Sequence, residues 1–171
     1  MIIILIMKYT FYTIELYVNL KTGYLLMPFK TRPSCVTDYN WLMTLHHESY
    51  FDVVTHQFGS WDKDEQLEMF LKSWHAENLT IILNENKPIG MFIVNNFDNC
   101  LWLAELQISP TFQSKGFGSR IIQTLLTNAR QLNLPLRLRV LFKNHRAKKF
   151  YLQQGFISIS QTNYHYVMQA S

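Results

Sequence analysis

A polar loop with two glycines, at a predicted strand-to-helix junction, has the composition of an anion-binding site. It consists of Gln113, Ser114, Lys115, Gly116, Phe117, Gly118 and Ser119. The first N–H groups of a helix have no partner within the helix, and the helix dipole makes that end attractive to anions. Glycine has no Cβ, so the backbone could approach a phosphate closely. The loop is therefore either a pyrophosphate site or a turn that uses glycine for its conformational freedom.

The elements that must position this loop lie on both sides of it. Leu101–Ile108 is a short apolar run that ends before Pro110, which is typical of a buried strand because proline cannot donate a ladder hydrogen bond. After the loop, apolar residues recur at helical spacing, namely Ile121, Ile122, Leu125, Leu126 and Ala129. The loop has neither the Gly-Lys-Ser/Thr of a P-loop nor the third glycine of a dinucleotide fingerprint. By itself it does not decide between the two interpretations.

The other patterned segments predict a mixed plan of strands and helices. Helices are predicted from Asp38 to His47, from a capping box formed by Asp62 and Glu65, and from Asn144 to a stop at Gly155. The acidic run at Asp62 is interpreted as that cap rather than as an amine-binding site. Strands are predicted at 29–32, 79–83, 88–94 and 136–140, with a further pair at the C-terminus.

Length and composition indicate an ordered domain and exclude several classes of protein. The 171 residues suit one domain, and 48% apolar with 16% charged residues is incompatible with a disordered chain. The net charge of +4 is modest, and its densest cluster is too short for a nucleic-acid-binding arm: Lys143, Arg146, Lys148 and Lys149. We therefore expect no nucleic-acid partner. Nucleic-acid binding through the basic helix from Asn144 is an alternative that a steep salt dependence of affinity would reveal.

Cysteine, histidine and hydropathy patterns indicate which cellular compartment, metal sites and membrane contacts to expect. Cys35 and Cys100 lie far apart, as in a reduced cytoplasmic protein. No zinc-like His/Cys spacing occurs, so we expect no metal. The apolar stretch Ile2–Met7 is too short to span a bilayer, and we expect no membrane partner. Residues 1–26 are an N-terminal extension of uncertain structure, either a hairpin or a leader upstream of a true start at Met7 or Met27.

The C-terminal half resembles the GNAT superfamily of acetyl-CoA-dependent N-acetyltransferases. The matching segments are ELQISPTFQSKGFG at 105–118, the strand at 136–140 and NHRAKKFYLQQGF at 144–156. Their order makes the combination more specific than either motif alone, and the resemblance extends from Lys30 to Met168. The segments RPSCVTDY, QFGSWDKDEQ and RLRVLFKN resemble those of small stand-alone bacterial members.

The resemblance implies a fold, a co-substrate and a reaction. The fold is α+β, a three-layer α/β arrangement over residues 27–171, with a mixed, largely antiparallel sheet of about six to seven strands and about four helices. The reaction is transfer of the acetyl group of acetyl-CoA to an amine, by direct attack through a tetrahedral intermediate. In the superfamily, the loop corresponding to Gln113–Ser119 holds the CoA pyrophosphate, and the helix corresponding to Asn144–Phe156 flanks the pantetheine and thiol.

The resemblance also implies roles for individual residues. A backbone N–H at Gln107 or Ile108 would bind the oxyanion, Tyr151 would protonate the departing thiolate, and Glu105 would act as the general base, commonly through water. Asn144 would contact CoA. Simpler interpretations exist for three of them: Tyr151 as a core aromatic, Asn144 as a helix N-cap, and Glu105 as a structural or solvent-facing carboxylate.

The acceptor is less defined than the donor. Arg137 and Arg139 share one face of a strand where certain protein N-terminal acetyltransferases carry an acidic residue. This difference argues against ribosomal-protein acetylation and favours an acceptor with a carboxylate or phosphate, unless the face is merely solvated or salt-bridged. We expect a primary amine of a small molecule or peptide. Alternatives are another acyl-CoA donor and a non-catalytic acyl-CoA-binding module, and exposed strand edges near the C-terminus could support a homodimer.

Overall fold

The computed structural model describes residues 29–171, which form one seven-stranded sheet and four α-helices. The predicted α+β class is confirmed, whereas the interpretation of residues 1–26 lies outside the described residues. The strands are β1 (Phe29–Pro33), β2 (Thr80–Asn84), β3 (Lys87–Phe97), β4 (Cys100–Ile108), β5 (Leu136–Leu141), β6 (Ile157–Gln161) and β7 (His165–Ala170). The helices are α1 (Tyr39–Phe58), α2 (Lys63–Trp74), α3 (Phe117–Gln131) and α4 (His145–Gln153). Among residues 29–171, no helix is both long and apolar enough to cross a membrane.

The sheet is mixed and largely antiparallel, as predicted. Its strand order is β1-β2-β3-β4-β5-β7-β6, and β4 with β5 is the parallel pair within it. A parallel pair needs a crossover, which α3 supplies. The β2–β3 hairpin turns at Glu85 and Asn86, whose φ angles of 50° and 65° are those of a turn that matches strand twist.

The parallel pair separates before β4 ends. Its pairing runs only from Leu101 opposite Leu136 to Leu103 opposite Leu138, although β4 continues to Ile108. On its other side, β4 carries a bulge, because Leu103 pairs with Val94 and Glu105 with Ile93, which leaves Ala104 between them. A bulge bends its strand and shifts the alternation of backbone groups by one. The result is a gap between the C-terminal parts of β4 and β5.

Two apolar clusters cover the two faces of the sheet. The face covered by α1 and α2, here the α1 face, buries Leu42, Leu45, Phe70, Leu79, Ile81, Met91 and Ile93. The opposite α3 face buries, among others, Ile82, Ile89, Leu103, Ile122, Leu125, Leu138 and Met168 beneath α3 and α4. Each fully buried aliphatic side chain contributes about 1.5–3 kcal/mol. Glu105 and Gln107 pair with Ile93 and Met91, so their side chains point to the α1 face.

The helix boundaries correct one prediction and confirm another. Helix α1 was predicted to end at His47 but continues to Phe58 and stops at Gly59, whose φ is 85°. Aromatic residues after His47 lie on several sides of the helix, which concealed its period; Phe51, for example, is exposed. The Asp62 cap of α2 is confirmed, because its carboxylate accepts hydrogen bonds from the Asp64 and Glu65 N–H groups.

Asp38 precedes α1 but does not cap it through its side chain. Its two carboxylate oxygens each accept a 2.7 Å hydrogen bond from Arg32, and the Cys35 N–H donates to one of them at 2.8 Å. A bidentate guanidinium is a stronger partner than a helix N–H. The Arg32 hydrogen bonds lower the pKa of Asp38 from 3.8 to about 2.

We expect Asp38→Asn to lower the free energy of unfolding by about 1–2 kcal/mol at neutral pH, allowing for partial solvent screening of Arg32. Because the folded pKa of Asp38 lies below 3.8, the stabilisation is complete above that value and is lost as the pH falls through about 2. Urea unfolding of both proteins across this range measures it. The surface pair Glu68–Lys72, with side chains 68% and 72% exposed, gives the control. Glu68→Gln should change nothing measurable, and an equal loss in both variants would contradict the assignment.

Candidate active site

Glu105 is the centre of a hydrogen-bond network at the edge of the gap. Its Oε2 accepts from the Tyr50 hydroxyl at 2.7 Å and from Gln107 Nε2 at 3.2 Å, and its Oε1 accepts from the Ser73 hydroxyl at 3.4 Å. Burial raises the pKa of the Glu105 carboxyl, while these donors and the charge of Arg139 act in the opposite direction. Burial therefore increases the affinity of the Glu105 carboxylate for a proton, while the hydrogen bonds still stabilise its ionised form. Such a group can act as a general base.

Tyr151 lies in α4 and belongs to the cluster on the α3 face, opposite the face to which Glu105 points. Its ring packs edge-on against Phe150 and Phe156, with centroids 5.1 and 5.5 Å away. Among residues 29–171, nothing hydrogen-bonds to its hydroxyl. Burial and the charge of Glu105 raise the pKa of Tyr151, so the hydroxyl keeps its proton at neutral pH. The ring is a core aromatic, as one interpretation held, and its hydroxyl is still available as a proton donor.

Near the end of β4, the backbone turns the Ile108 N–H group toward the gap. The Ser109 N–H donates to the Ile89 carbonyl, and the Gln107 carbonyl faces Gly90, so residues 107 and 109 turn their backbone groups toward β3. Backbone groups alternate along a strand, so those of Ile108 point the opposite way, toward the gap. Of the two residues predicted to bind the oxyanion, Ile108 is the one whose N–H has this orientation.

The loop after β4 leads to an open helix N-terminus. Gly116 has a φ of 85°, and a Cβ built there would meet no atom within 4 Å. No side chain caps α3, and its first bonded N–H is that of Arg120, 3.1 Å from the Gly116 carbonyl. The N–H groups of residues 117–119 precede that bond and are free of side-chain caps. This arrangement suits a phosphate group.

Comparison with known proteins identifies the family. The model of the acetyltransferase (GNAT) family matches residues 41–156, a span that holds Glu105, the loop and Tyr151. The chain belongs to the GNAT family. It is therefore an acyltransferase, and the seven-stranded sheet with its gap is a GNAT fold. No curated protein matches the sequence at a significant level.

Solved GNAT structures share the fold at low sequence identity. PaiA N-acetyltransferase from Thermoplasma acidophilum, in complex with coenzyme A, has a TM-score of 0.61 at 19% identity, covering 85% of this chain and 99% of its own. PH1933 from Pyrococcus horikoshii has a TM-score of 0.65 at 18% identity, with coverages of 83% and 97%. Arabidopsis thaliana Naa50, in complex with the bisubstrate analogue CoA-Ac-MVNAL, has a TM-score of 0.57 at 16% identity, with coverages of 84% and 98%.

The side chains of the GNAT loop brace it against its neighbours. Gln113 Nε2 donates to the Ile108 carbonyl at 2.8 Å, which joins the loop to the end of β4. Ser114 has a φ of 61° and accepts from Arg146 of α4 at 3.3 Å. The Lys115 ammonium lies over the Phe112 ring, 5.2 Å from its centroid. Phe117 is fully buried and Ser119 is half-buried. Gly118 packs closely against Phe150, because a Cβ added at Gly118 would lie 3.3 Å from that ring. These contacts join the loop to the end of β4 and to α4.

Asn144 caps α4, as one interpretation predicted. Its Oδ1 accepts from the Ala147 N–H at 3.0 Å, which leaves its amide nitrogen outside the cap. Gly155, with a φ of 89°, follows the end of the helix. Capping holds Asn144 at the start of the helix that carries Tyr151.

Three participants in the site were missed by sequence reasoning. Tyr50 and Ser73 bind Glu105 from α1 and α2, and the Gln107 side chain binds it from two residues along β4. Tyr50 lies eight residues after buried Leu42, so helical spacing could have placed it on the inner face. Nothing local could have placed it against Glu105. Within residues 29–171, no group of three His, Cys, Asp or Glu side chains is arranged to hold a metal.

Proposed function

We propose that this GNAT protein transfers the acetyl group of acetyl-CoA to a primary amine by direct attack, through a tetrahedral intermediate. The observation that carries the proposal is that the Glu105 carboxylate and the Ile108 N–H belong to the part of β4 that borders the gap, and that the charge of Glu105 acts on the Tyr151 hydroxyl. Acyl transfer to an amine needs a base, an oxyanion donor and an acid, and these groups supply one of each.

The loop from Gln113 to Ser119 supports binding of the CoA pyrophosphate. Its open space at Gly116 and the uncapped first turn of α3 provide room and N–H donors. Lys115 and Arg146 add positive charge beside them. With the pyrophosphate there, the pantetheine arm would run along the gap past Ile108, and the Asn144 amide nitrogen could contact it.

Glu105 would accept the proton of the acceptor ammonium, directly or through a water. It must be ionised to do so, and the hydrogen bonds from Tyr50, Gln107 and Ser73 stabilise that form. Its position on the α1 face implies that the amine arrives from that side. The Ile108 N–H would stabilise the oxyanion, a contribution of about 10²–10³ in rate for one well-placed donor.

Tyr151 would protonate the departing CoA thiolate. Its raised pKa keeps the hydroxyl protonated before the reaction. It belongs to the cluster on the α3 face, so it would approach the thioester from the side opposite Glu105. Acid and base on opposite sides of the gap match a reaction in which the amine enters on one side and the thiol leaves on the other.

Calorimetric titration with acetyl-CoA and with free pantetheine, at two salt concentrations, tests the proposed co-substrate. We expect acetyl-CoA to bind and pantetheine, which lacks the pyrophosphate, to bind far more weakly. Release of free CoA thiol in the presence of amines then tests transfer. Absence of acetyl-CoA binding would refute the proposed function, and binding without transfer to any amine would favour a non-catalytic acyl-CoA-binding protein.

We expect Gly116→Ala to weaken acetyl-CoA binding at least about tenfold, because the added methyl enters the space proposed for the pyrophosphate. Gly59→Ala is a matched control, since Gly59 has the same φ of 85°, also has no atom within 4 Å of a built Cβ, and lies at the end of α1. Both variants should lose about 1 kcal/mol of folding stability from the left-handed backbone. Equal affinities of the two variants would remove the loop as the pyrophosphate site.

A further inference from the structure

The α1 face of β5 carries two arginines with different surroundings. Buried Leu136, Leu138 and Val140 belong to the α3 face, so the alternate residues Arg137 and Arg139 point to the α1 face, as Glu105 does. Arg137 Nε donates to Gln169 Oε1 of β7 at 2.7 Å, which holds Arg137 against the neighbouring strand. Arg139 is exposed and has no such hydrogen bond within residues 29–171.

Arg139 is positioned by an aromatic ring rather than by a carboxylate. Its guanidinium lies over the Trp102 ring, 5.5 Å from the centroid. The ion pairs found among residues 29–171 are Arg32–Asp38 and Lys72–Glu68, so Arg139 forms none there. Its charge nevertheless acts on two neighbouring groups. It opposes the rise in the pKa of Glu105, and together with burial, which is the larger cause, it lowers the pKa of His165. The guanidinium thus lies within electrostatic range of the proposed base, and no group among residues 29–171 accepts a hydrogen bond from it.

The helix and strands on either side of this region are joined together. Gln57 near the end of α1 donates to the Tyr164 carbonyl at 3.1 Å and accepts from the Lys143 N–H at 3.0 Å. These partners lie in the turns that precede β7 and follow β5. The helix that holds Glu105 through Tyr50 is therefore tied to the strands that carry Arg139 and His165.

We propose that Arg139 binds an anionic group of the acceptor, so that the substrate is an amine that also bears a carboxylate or a phosphate. This inference rests on the proposed function, which places the acceptor amine at Glu105. The planar guanidinium can donate two parallel hydrogen bonds to either oxyanion, and stacking on Trp102 orients it for them. Glu105 can bind the ammonium group of a substrate, and Arg139 on the same face can bind its anionic group. Together they select a molecule that carries both charges.

The test titrates CoA-saturated protein with matched amines and follows acetylation of the same amines by thiol release. One pair is an amino acid and its carboxamide, and the other is an aminoalkyl phosphate and the corresponding amino alcohol. We expect the wild type to bind the anionic member of one pair about 10- to 100-fold more tightly. Arg139→Gln should remove the preference, whereas Arg137→Gln, which deletes the same charge two residues away, should keep it. The pair that shows the effect distinguishes carboxylate from phosphate.

The two proposals fail in different ways. No preference in either pair, no binding of any anionic amine, or a preference that survives Arg139→Gln would overturn the role of Arg139. An Arg139-dependent preference in binding, without acetylation of any amine, would overturn the proposed transfer and leave the anion site standing. Because Arg139 is exposed, its replacement should lower the melting temperature only slightly, through loss of the contact with Trp102, and should leave the affinity for acetyl-CoA unchanged. These two measurements show that the variant is folded.

Discussion

Replacement of Glu105 by glutamine is expected to lower kcat by about 10²- to 10⁴-fold, the range for loss of a general base. Glutamine keeps the shape of the side chain but cannot accept a proton from an ammonium. Affinity for acetyl-CoA should not change, because Glu105 points to the α1 face, away from the loop. Steady-state kinetics and calorimetry on the same preparation measure both quantities. Unchanged kcat would remove Glu105 as the base.

The pH dependence gives a sharper test of the same residue. Burial raises the pKa of Glu105, so the wild-type kcat should rise as the pH increases through that raised value, and the glutamine variant should lose this limb. Tyr50→Phe removes a hydrogen bond that lowers the pKa of Glu105, so its limb should move to higher pH with a similar plateau. If Glu105 had only a structural role, Glu105→Gln would keep this limb and Tyr50→Phe would not move it.

Stability should move in the opposite direction to activity. Because the folded pKa of Glu105 lies above the unfolded one, the folded protein loses stability as the pH rises from the unfolded value through the folded value. Ionised Glu105 therefore lowers folding stability at neutral pH, and glutamine removes that effect. We expect the melting temperature of Glu105→Gln to be equal to or above that of the wild type. A large decrease would indicate that the carboxylate serves the fold.

Tyr151→Phe is expected to lower kcat by about 10²- to 10³-fold with acetyl-CoA affinity retained, as for loss of a general acid. The ring and its contacts with Phe150 and Phe156 stay in place. The hydroxyl has no partner among residues 29–171, so its removal should not cost stability. Stopped-flow measurement of thiol release separates the chemical step from binding.

Tyr166→Phe is the matched control for this variant. Tyr166 also packs against the α3 cluster, with its ring 4.8 Å from that of Phe142 and beneath Lys148, but it has no proposed chemical role. Its replacement should leave kcat close to the wild-type value. Full activity of Tyr151→Phe would return Tyr151 to the role of a core aromatic and require another proton donor.

Local patterns predicted most of the elements of the fold. The two glycines after β4, the Asp62 cap, the strands at 79–83 and 88–94 and the apolar spacing of α3 are each set by residues within a few positions of one another. The extent of α1 was not predicted, because its second half carries aromatic residues on several sides. The side-chain cap proposed for Asp38 was wrong, because Arg32, on the preceding strand, is the stronger partner.

The candidate site was predicted only in part. Glu105, Tyr151 and the loop were assigned by resemblance to a family, since spacing alone left each with an ordinary structural interpretation. The donors to Glu105 were not predicted, because Tyr50 and Ser73 are 55 and 32 residues away in the chain. The choice of Ile108 over Gln107 depends on a bulge at Ala104, which appears only in the pairing of β3 with β4.

The sequence by itself determined the elements, the loop and the side chains available for chemistry, because conformational preferences and caps act over a few neighbouring residues. Tertiary structure decided which of those side chains meet. The separation of β4 from β5 after Leu103, the approach of α1 to Glu105 and the stacking of Arg139 on Trp102 all depend on strand order and register. Register is set by burial of whole faces of the sheet, and one bulge reverses which backbone groups face the gap. The proposed chemistry therefore depends on contacts between distant residues that no local pattern records.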